Sequence, residues 1–358
     1  MHSPRIPAGM ALTLAALLLA SSCRKTEDAE LPVVTPEVVT LQGKTMGTTY
    51  HVKVVARSPD ESARAVALQA RVDALLERVN DQMSTYRPGS ELSRFNRHAG
   101  KEPFAVSPET AAVTRRALEI GEKTGGAFDV TLGPLIELWG FDKGGRRAAP
   151  PSPDELAAAR ARVGREHVAV RDSTLVKDRA DVEVNLSGIA KGWGVDQVFA
   201  LLVKEGFADV MVEIGGEVRA QGENVNGQPW RIGVNVPRSD ADPTAVLVAV
   251  PLKDAALATS GDYRNFFESG GRRYSHILDP VTGEPVRRDL VSASILAPDC
   301  TTADGLATAA IVLGEAKTRE VLKAHFPGVE ALFVHAPEGE GGELEVTQTE
   351  GFPVVDGG

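Results

Sequence analysis

Among 358 residues there are two cysteines, Cys23 and Cys300. Two thiols cannot make a disulfide framework, so the fold has to rest on a buried core. Basic residues are also in deficit: 39 Lys and Arg face 49 Asp and Glu, a formal net charge of −10. This excludes a nucleic-acid partner held by a basic face, though not a small anion held by a local cluster. No apolar run reaches the roughly 20 residues that a membrane-spanning helix needs. No internal repeat is visible. What is present is ordinary for a globular protein: 42% apolar and 25% charged residues. That composition supports a substantial core, and the length suits one large domain or two smaller ones.

The N-terminus departs from this average. Residues 1–22 carry one charged side chain, Arg5, and the stretch from Met10 to Ala20 is almost wholly Ala and Leu. It has the length of a signal-peptide core. The run ends in L-A-S-S-C at Cys23, where small residues suit cleavage and lipid attachment. Lipoprotein signals usually put a larger aliphatic residue where Ala20 stands, so secretion with cleavage after Ser22 is the other reading. Residues 23–39 are polar and proline-bearing and read as a flexible tether from a lipidated Cys23. A body is expected over 40–335, followed by a Gly- and Glu-rich C-terminal extension at 336–358. In that extension Leu344, Glu345 and Val346 alternate like an edge strand.

Within the body, residues 48–55 alternate as a strand. Ala65, Leu68, Val72, Leu75, Leu76 and Val79 recur at helical spacing. Ser107-Pro108-Glu109 and Ser152-Pro153-Asp154-Glu155 each pair a capping serine with a first-turn proline, and Gly125-Gly126 should stop the first of these helices. Further helices are expected over 191–204 and 302–312. Strands are expected over 168–170, 182–186, 210–214, 230–234, 246–251, 274–278 and 291–296. The order is mixed, without the strict βαβ repeat of a doubly wound sheet. The expected fold is α+β, with mixed or mostly antiparallel sheets packed against helices in one large domain.

Several segments carry candidate chemistry. Asp304 and Thr308 stand four apart and share one face of a helix. A carboxylate and a hydroxyl suit magnesium better than zinc, although a plain capped helix also fits. In N-L-S-G-I-A-K-G-W, from Asn185, a strand passes through a turn into a helix. Free N–H groups, the positive helix end and Lys191 would form a phosphate cradle there. The segment is neither a Walker loop nor a Rossmann fingerprint, and an ordinary strand-to-helix turn is equally possible. His276, beside D-P-V-T-G, is either a general base or a turn histidine. Met46 and Tyr86 offer soft or aromatic faces for a ring, or belong to the core. Asp129, after Gly126-Ala127-Phe128, either meets a ligand edge or closes an Asx turn.

Taken together and in order, the segments resemble one family. They are G-K-T-M-G-T-T-Y, M-S-T-Y-R-P-G-S-E-L-S-R-F-N, G-A-F-D-V-T-L-G-P-L, N-L-S-G-I-A-K-G-W-G-V-D, E-I-G-G-E-V, A-T-S-G-D-Y-R-N, Y-S-H-I-L-D-P-V-T-G and T-T-A-D-G-L-A-T-A. Over residues 43–314 the chain resembles the ApbE family of FAD:protein FMN transferases. The resemblance implies an exported, magnesium-dependent transferase that moves FMN from FAD to a threonine of an acceptor flavoprotein and releases AMP. It implies a cell-envelope lipoprotein facing the periplasm or the outer side of the membrane.

The resemblance also implies roles for residues. Met46, Tyr86, Ala127, Phe128, Asp129, Asn185, Lys191 and Leu278 would line the FAD site. Asp304, Thr308 and the Gly188 carbonyl would hold magnesium, and His276 would be the base. Asn185 replaces an aspartate usual in the family; it keeps a hydrogen-bond acceptor but loses the charge. Two other readings use the same residues. One is hydrolysis of FAD to FMN and AMP, and the other is an exported FAD-binding lipoprotein without turnover.

Overall fold

The computed structural model describes residues 35–142, 147, 149–238, 240–242, 244–261, 266–336 and 343–353. The leader, Cys23, the tether up to residue 34 and residues 262–265 of A-T-S-G-D-Y-R-N lie outside them. In chain order, β1 (Glu37–Thr45) and β2 (Thr48–Ala56) form a hairpin. Helices α1 (Pro59–Ala67), α2 (Gln69–Met83) and α3 (Glu91–Arg97) follow, then a short β3 (Phe104–Ala105). Next come α4 (Pro108–Lys123), α5 (Gly133–Trp139) and α6 (Pro153–Arg160), then β4 (Val168–Arg171) and β5 (Thr174–Lys177). α7 (Ala190–Lys204) leads into the hairpin of β6 (Val210–Ile214) and β7 (Glu217–Gln221). β8 (Trp230–Asn235), β9 (Val246–Leu252), β10 (Ala255–Gly261), β11 (Phe266–Ser269), β12 (Arg272–Ser275) and β13 (Leu290–Ala297) continue the chain. Last are α8 (Cys300–Leu313), α9 (Glu315–His325), β14 (Glu330–His335) and β15 (Glu345–Gln348).

Eight strands form the main sheet in the order β1-β2-β6-β7-β10-β13-β14-β15. Every neighbouring pair in it is antiparallel. The sheet takes in residues on both sides of 40–335: β1 begins at Glu37, and β15 forms an edge at the alternating run after Leu344. Period-two alternation gives the sheet two buried faces. Val54, Val210 and Val212 join the core under α2 and α7, while Val55 and Met211 join the opposite core with Trp230, Val250 and Phe352. Each fully buried valine contributes about 2 kcal/mol by leaving water. α7 lies on β6 and β7, α8 lies on β10 and β13, and the two helices pack against each other.

Ser107 caps α4 through Thr110 N, and Ser152 caps α6 in a reciprocal box with Glu155. The helical stripe from Ala65 to Val79 spans two helices that break at Leu68, and its buried residues continue across the break. Two expected strands differ. Residues 182–186 join no sheet: Asn96 takes the strand partner's place, donating through Nδ2 to Val184 O at 2.8 Å and accepting Val184 N at Oδ1 at 2.8 Å. The buried Lys177 ammonium adds bonds to the carbonyls of Asn96, Ala180 and Val182. The strand expected over 274–278 stops at Ser275, because the chain then turns back and Leu278 pairs only as an isolated bridge with Pro285.

Candidate active site

The site is built where the first turns of α7 and α8 meet. α8 is capped by its own Asp299, which accepts Thr302 N at 2.7 Å. Asp196 of α7 adds a second cap, accepting Cys300 N at 3.0 Å and Thr301 N at 2.8 Å. α8 returns the contact: Asp304 Oδ2 accepts Gly192 N at 2.8 Å, inside the first turn of α7. Each helix thus satisfies orphan N–H groups of the other. The approach requires glycine at 192, since a Cβ there would stand 2.3 Å from the Cys300 carbonyl oxygen. Cys300 itself is a buried free thiol, pushed well above its ordinary pKa by burial.

Two cavities open at this junction. The larger, about 930 Å³, is lined by Met46, Tyr86, Ser187 and Lys191 among others. The deeper, about 350 Å³, is lined by Ala127, Phe128, Asp129, Asn185, Gly188, His276, Leu278, Asp304 and Thr308, and again by Ser187 and Lys191. Every residue that the resemblance implicates in FAD, metal or base chemistry therefore lines one of two cavities that share a wall.

Local structure explains each placement. Met46 and Gly47 are the two central residues of the β1–β2 turn, and both take positive φ, 49° and 75°. A non-glycine residue there is uncommon, and strained backbone of this kind concentrates at functional sites. Tyr86 is 59% exposed at the rim. Asp129 Oδ1 accepts both Thr131 N and Thr131 Oγ1, the Asx turn, while the residue also faces the deep cavity. Burial raises the Asp129 pKa, against the pull of Thr131. Asn185 Oδ1 accepts Ser187 N at 2.9 Å, so its acceptor oxygen already serves the turn into α7. His276 follows β12 directly and meets the Phe141 ring edge-on at 6.4 Å. A satellite core of Trp139, Phe267, Tyr274 and Leu278 steadies this segment, with Trp139 Nε1 donating to Gly283 O at 2.8 Å.

The electrostatics centre on Lys191. Its ammonium forms a short ion pair with Glu217 Oε1. Burial works against the lysine charge, but Glu217 and Asp304 outweigh it and the Lys191 pKa is raised. Burial likewise raises Asp304, against Lys191 and the Gly192 N–H. The candidate metal donors are all oxygen: the Asp304 carboxylate, the Thr308 hydroxyl and the Gly188 carbonyl. Gly188 lies against Thr308, whose Oγ1 would be 3.4 Å from a Cβ at 188. No group of three His, Cys, Asp or Glu placed to hold a metal ion occurs among the described residues. An oxygen-only set with one carboxylate suits a hard cation completed by phosphate and water.

Sequence reasoning assigned no role to Glu217, Thr259, Ser260 or Asp196. Glu217, Thr259 and Ser260 line the deep cavity, and Ser260 Oγ lies 3.3 Å from Thr308 Oγ1. Asp196 secures α8. All four fall inside quoted motifs; what was missing was which of those residues face inward.

Comparison with known proteins follows the same outline. The ApbE family model matches residues 46–333. An FAD:protein FMN transferase of Vibrio cholerae is 47% identical over 314 residues, 88% of this chain and 90% of its own length. One from Haemophilus influenzae is 42% identical, covering 88% of each chain. The solved flavin transferase ApbE from Vibrio cholerae superposes with a TM-score of 0.79 at 45% identity, covering 88% of this chain and 98% of that one. The Pseudomonas stutzeri flavinyl transferase ApbE gives 0.77 at 36% identity, covering 88% and 95%. The chain belongs to the ApbE family.

Proposed function

We infer that the chain is an FAD:protein FMN transferase, moving FMN from FAD to a threonine hydroxyl of an acceptor flavoprotein and releasing AMP. One observation carries the reading: the implicated residues, drawn from six separated motifs, line two adjoining cavities. The larger takes a ring system between Met46 and the Tyr86 rim. The deeper takes the pyrophosphate near Lys191 and the α7 N-terminus, where positive charge and N–H groups favour an anion. Asp304, the Thr308 hydroxyl and the Gly188 carbonyl hold magnesium, which when bound offsets the charge of the pyrophosphate.

His276 accepts the proton of the threonine hydroxyl. The threonine oxygen forms a bond to the FMN-side phosphorus, and the bond from that phosphorus to the bridging oxygen breaks. AMP leaves with the bridging oxygen. The cleaved pyrophosphate supplies the driving force, so no further energy source is needed. The apolar leader and the small residues before Cys23 support export and lipid anchoring on the outer side of the membrane.

The test is to mix the mature protein with FAD, magnesium and a candidate acceptor. The expected result is one FMN mass increment on an acceptor threonine, with equimolar AMP. AMP without the increment would mean a hydrolase. Retained FAD without AMP would mean a flavin-binding protein.

A further inference from the structure

Glu217 is a buried carboxylate that the transfer reaction as described does not use. It is 2% exposed, yet it lines the deep cavity. Its Oε1 pairs with Lys191. Burial pushes its carboxyl up to about 8, against the pull of Lys191 and of its own backbone N–H, and no other described residue hydrogen-bonds Oε2. Native proteins rarely leave a buried charged oxygen without a partner. A buried ion pair is also a poor source of stability, since apolar residues of the same shape often do as well. Stability alone therefore does not account for Glu217.

The turn before it is shaped for this placement. Ile214 and Glu217 face each other across the β6–β7 hairpin, and Gly215 and Gly216 connect them with φ of 61° and 108°. Such a two-residue turn favours glycine. A Cβ at Gly215 would stand 2.8 Å from Thr48 Cγ2 and 3.4 Å from Lys191 Cδ. The E-I-G-G-E-V motif thus clears room for the lysine stem and returns the chain so that the Glu217 carboxylate meets its ammonium. Lys191 is the charged residue of the wall that the two cavities share.

We propose that Glu217 is a positioning and binding residue for the dinucleotide: Oε1 holds the Lys191 ammonium at the wall between the cavities, and Oε2 accepts a hydrogen bond from a hydroxyl or N–H of bound FAD. The proposal rests on the transferase reading. It makes the buried carboxylate complete only with ligand present. A glutamine at 217 puts an NH2 where one of the two oxygens stands, so it cannot offer an acceptor both towards Lys191 and towards a ligand donor.

The test is a titration of FAD by flavin fluorescence, with magnesium present, on the unmodified protein and on Glu217→Gln, Lys191→Met and the double variant. Glu217→Gln is expected to weaken FAD binding at least tenfold; the ligand-free melting temperature should fall too, because Lys191 loses its counter-charge, so the titration is run well below the melting temperature of every variant. In the Lys191→Met background Glu217 has lost its counter-charge and takes a proton, which makes glutamine nearly equivalent. The further loss there should be under twofold. A melting change alone, without weaker binding, overturns the proposal, as does Glu217→Gln binding within twofold of the unmodified protein. Equal losses in both backgrounds overturn the role through Lys191. An unmodified protein that binds no FAD overturns the transferase reading itself.

Discussion

At the scale of single residues, the arrangement ranks the contributions. Asp304 is buried, accepts Gly192 N and stands among the candidate metal donors. Asn185 is partly exposed and engaged with Ser187 N. Asp304→Ala is therefore expected to lower FMN transfer by roughly 10³-fold, the scale seen when a preorganised charge-stabilising group is lost. Asn185→Ala should cost clearly less, measured on the same acceptor by mass increment per minute. Equal losses would remove Asp304 from the metal site. Lys177 shows how a residue outside the cavities still shapes them. Its three carbonyl bonds hold the segment that runs into Asn185 and Gly188. A lone lysine on a short strand gave no hint of that role in sequence, because its partners are backbone atoms set by the fold.

At the scale of elements, the reciprocal caps of α7 and α8 make the site one mechanical unit. Asp196 accepts Cys300 N, Thr301 N and Thr301 Oγ1, and pairs with Arg219 at 2.6 Å. Asp196→Ala strands two helix N–H groups and the arginine, a cost of roughly 3 kcal/mol. Denaturant unfolding should show the loss. The half-saturating magnesium concentration for transfer should rise as well, because α8 carries Asp304 and Thr308. An unchanged magnesium dependence would confine Asp196 to stability.

A second element-scale prediction concerns pH. Glu315 opens α9, pairs with Arg319 at 2.7 Å and meets His335 of β14 at 2.7 Å. Burial pushes its carboxyl up, but Arg319, Thr347 and His335 together outweigh burial and the pKa is lowered. A lowered carboxyl pKa means that the unfolded chain binds the proton first as pH falls. The stabilisation is full above the unfolded value, about 4.3, and is lost as pH drops through the folded value. Glu315→Gln is expected to cost about 1 kcal/mol at pH 7. The gap between the two melting curves should narrow as pH falls below the unfolded value and close below the folded one. A gap that persists in acid would assign the effect to packing.

At the scale of the whole molecule, one antiparallel sheet carries the site on its helical face and a separate apolar core on the other. The acidic balance of the chain fits this arrangement, since the cationic work is confined to Lys191 and the helix ends rather than spread over a surface. The leader proposed over residues 1–22 makes location testable. Labelled palmitate should enter the protein in bacterial cells and be absent from Cys23→Ala, which should leave the membrane fraction. Label retained in that variant would reject Cys23 as the anchor.

By itself the sequence determined the local elements whose signals are local. The capping serines of α4 and α6, the alternation of β2 and the glycine-bearing turns are set by neighbouring residues, and they appear where expected. It also determined membership of the family, because the order of eight motifs is a property of the chain. Only the tertiary structure decided what those motifs face. Residues 182–186 have the alternation of a strand, yet a side chain of Asn96 claims their hydrogen bonds. Asp304 has the spacing of a helix-face ligand, yet half of its work is to cap α7. Glu217 reads as an ordinary strand residue, and it becomes a buried carboxylate against Lys191 only when the hairpin folds over α7. Side-chain partners many residues apart are fixed by packing, and packing has no short-range signature.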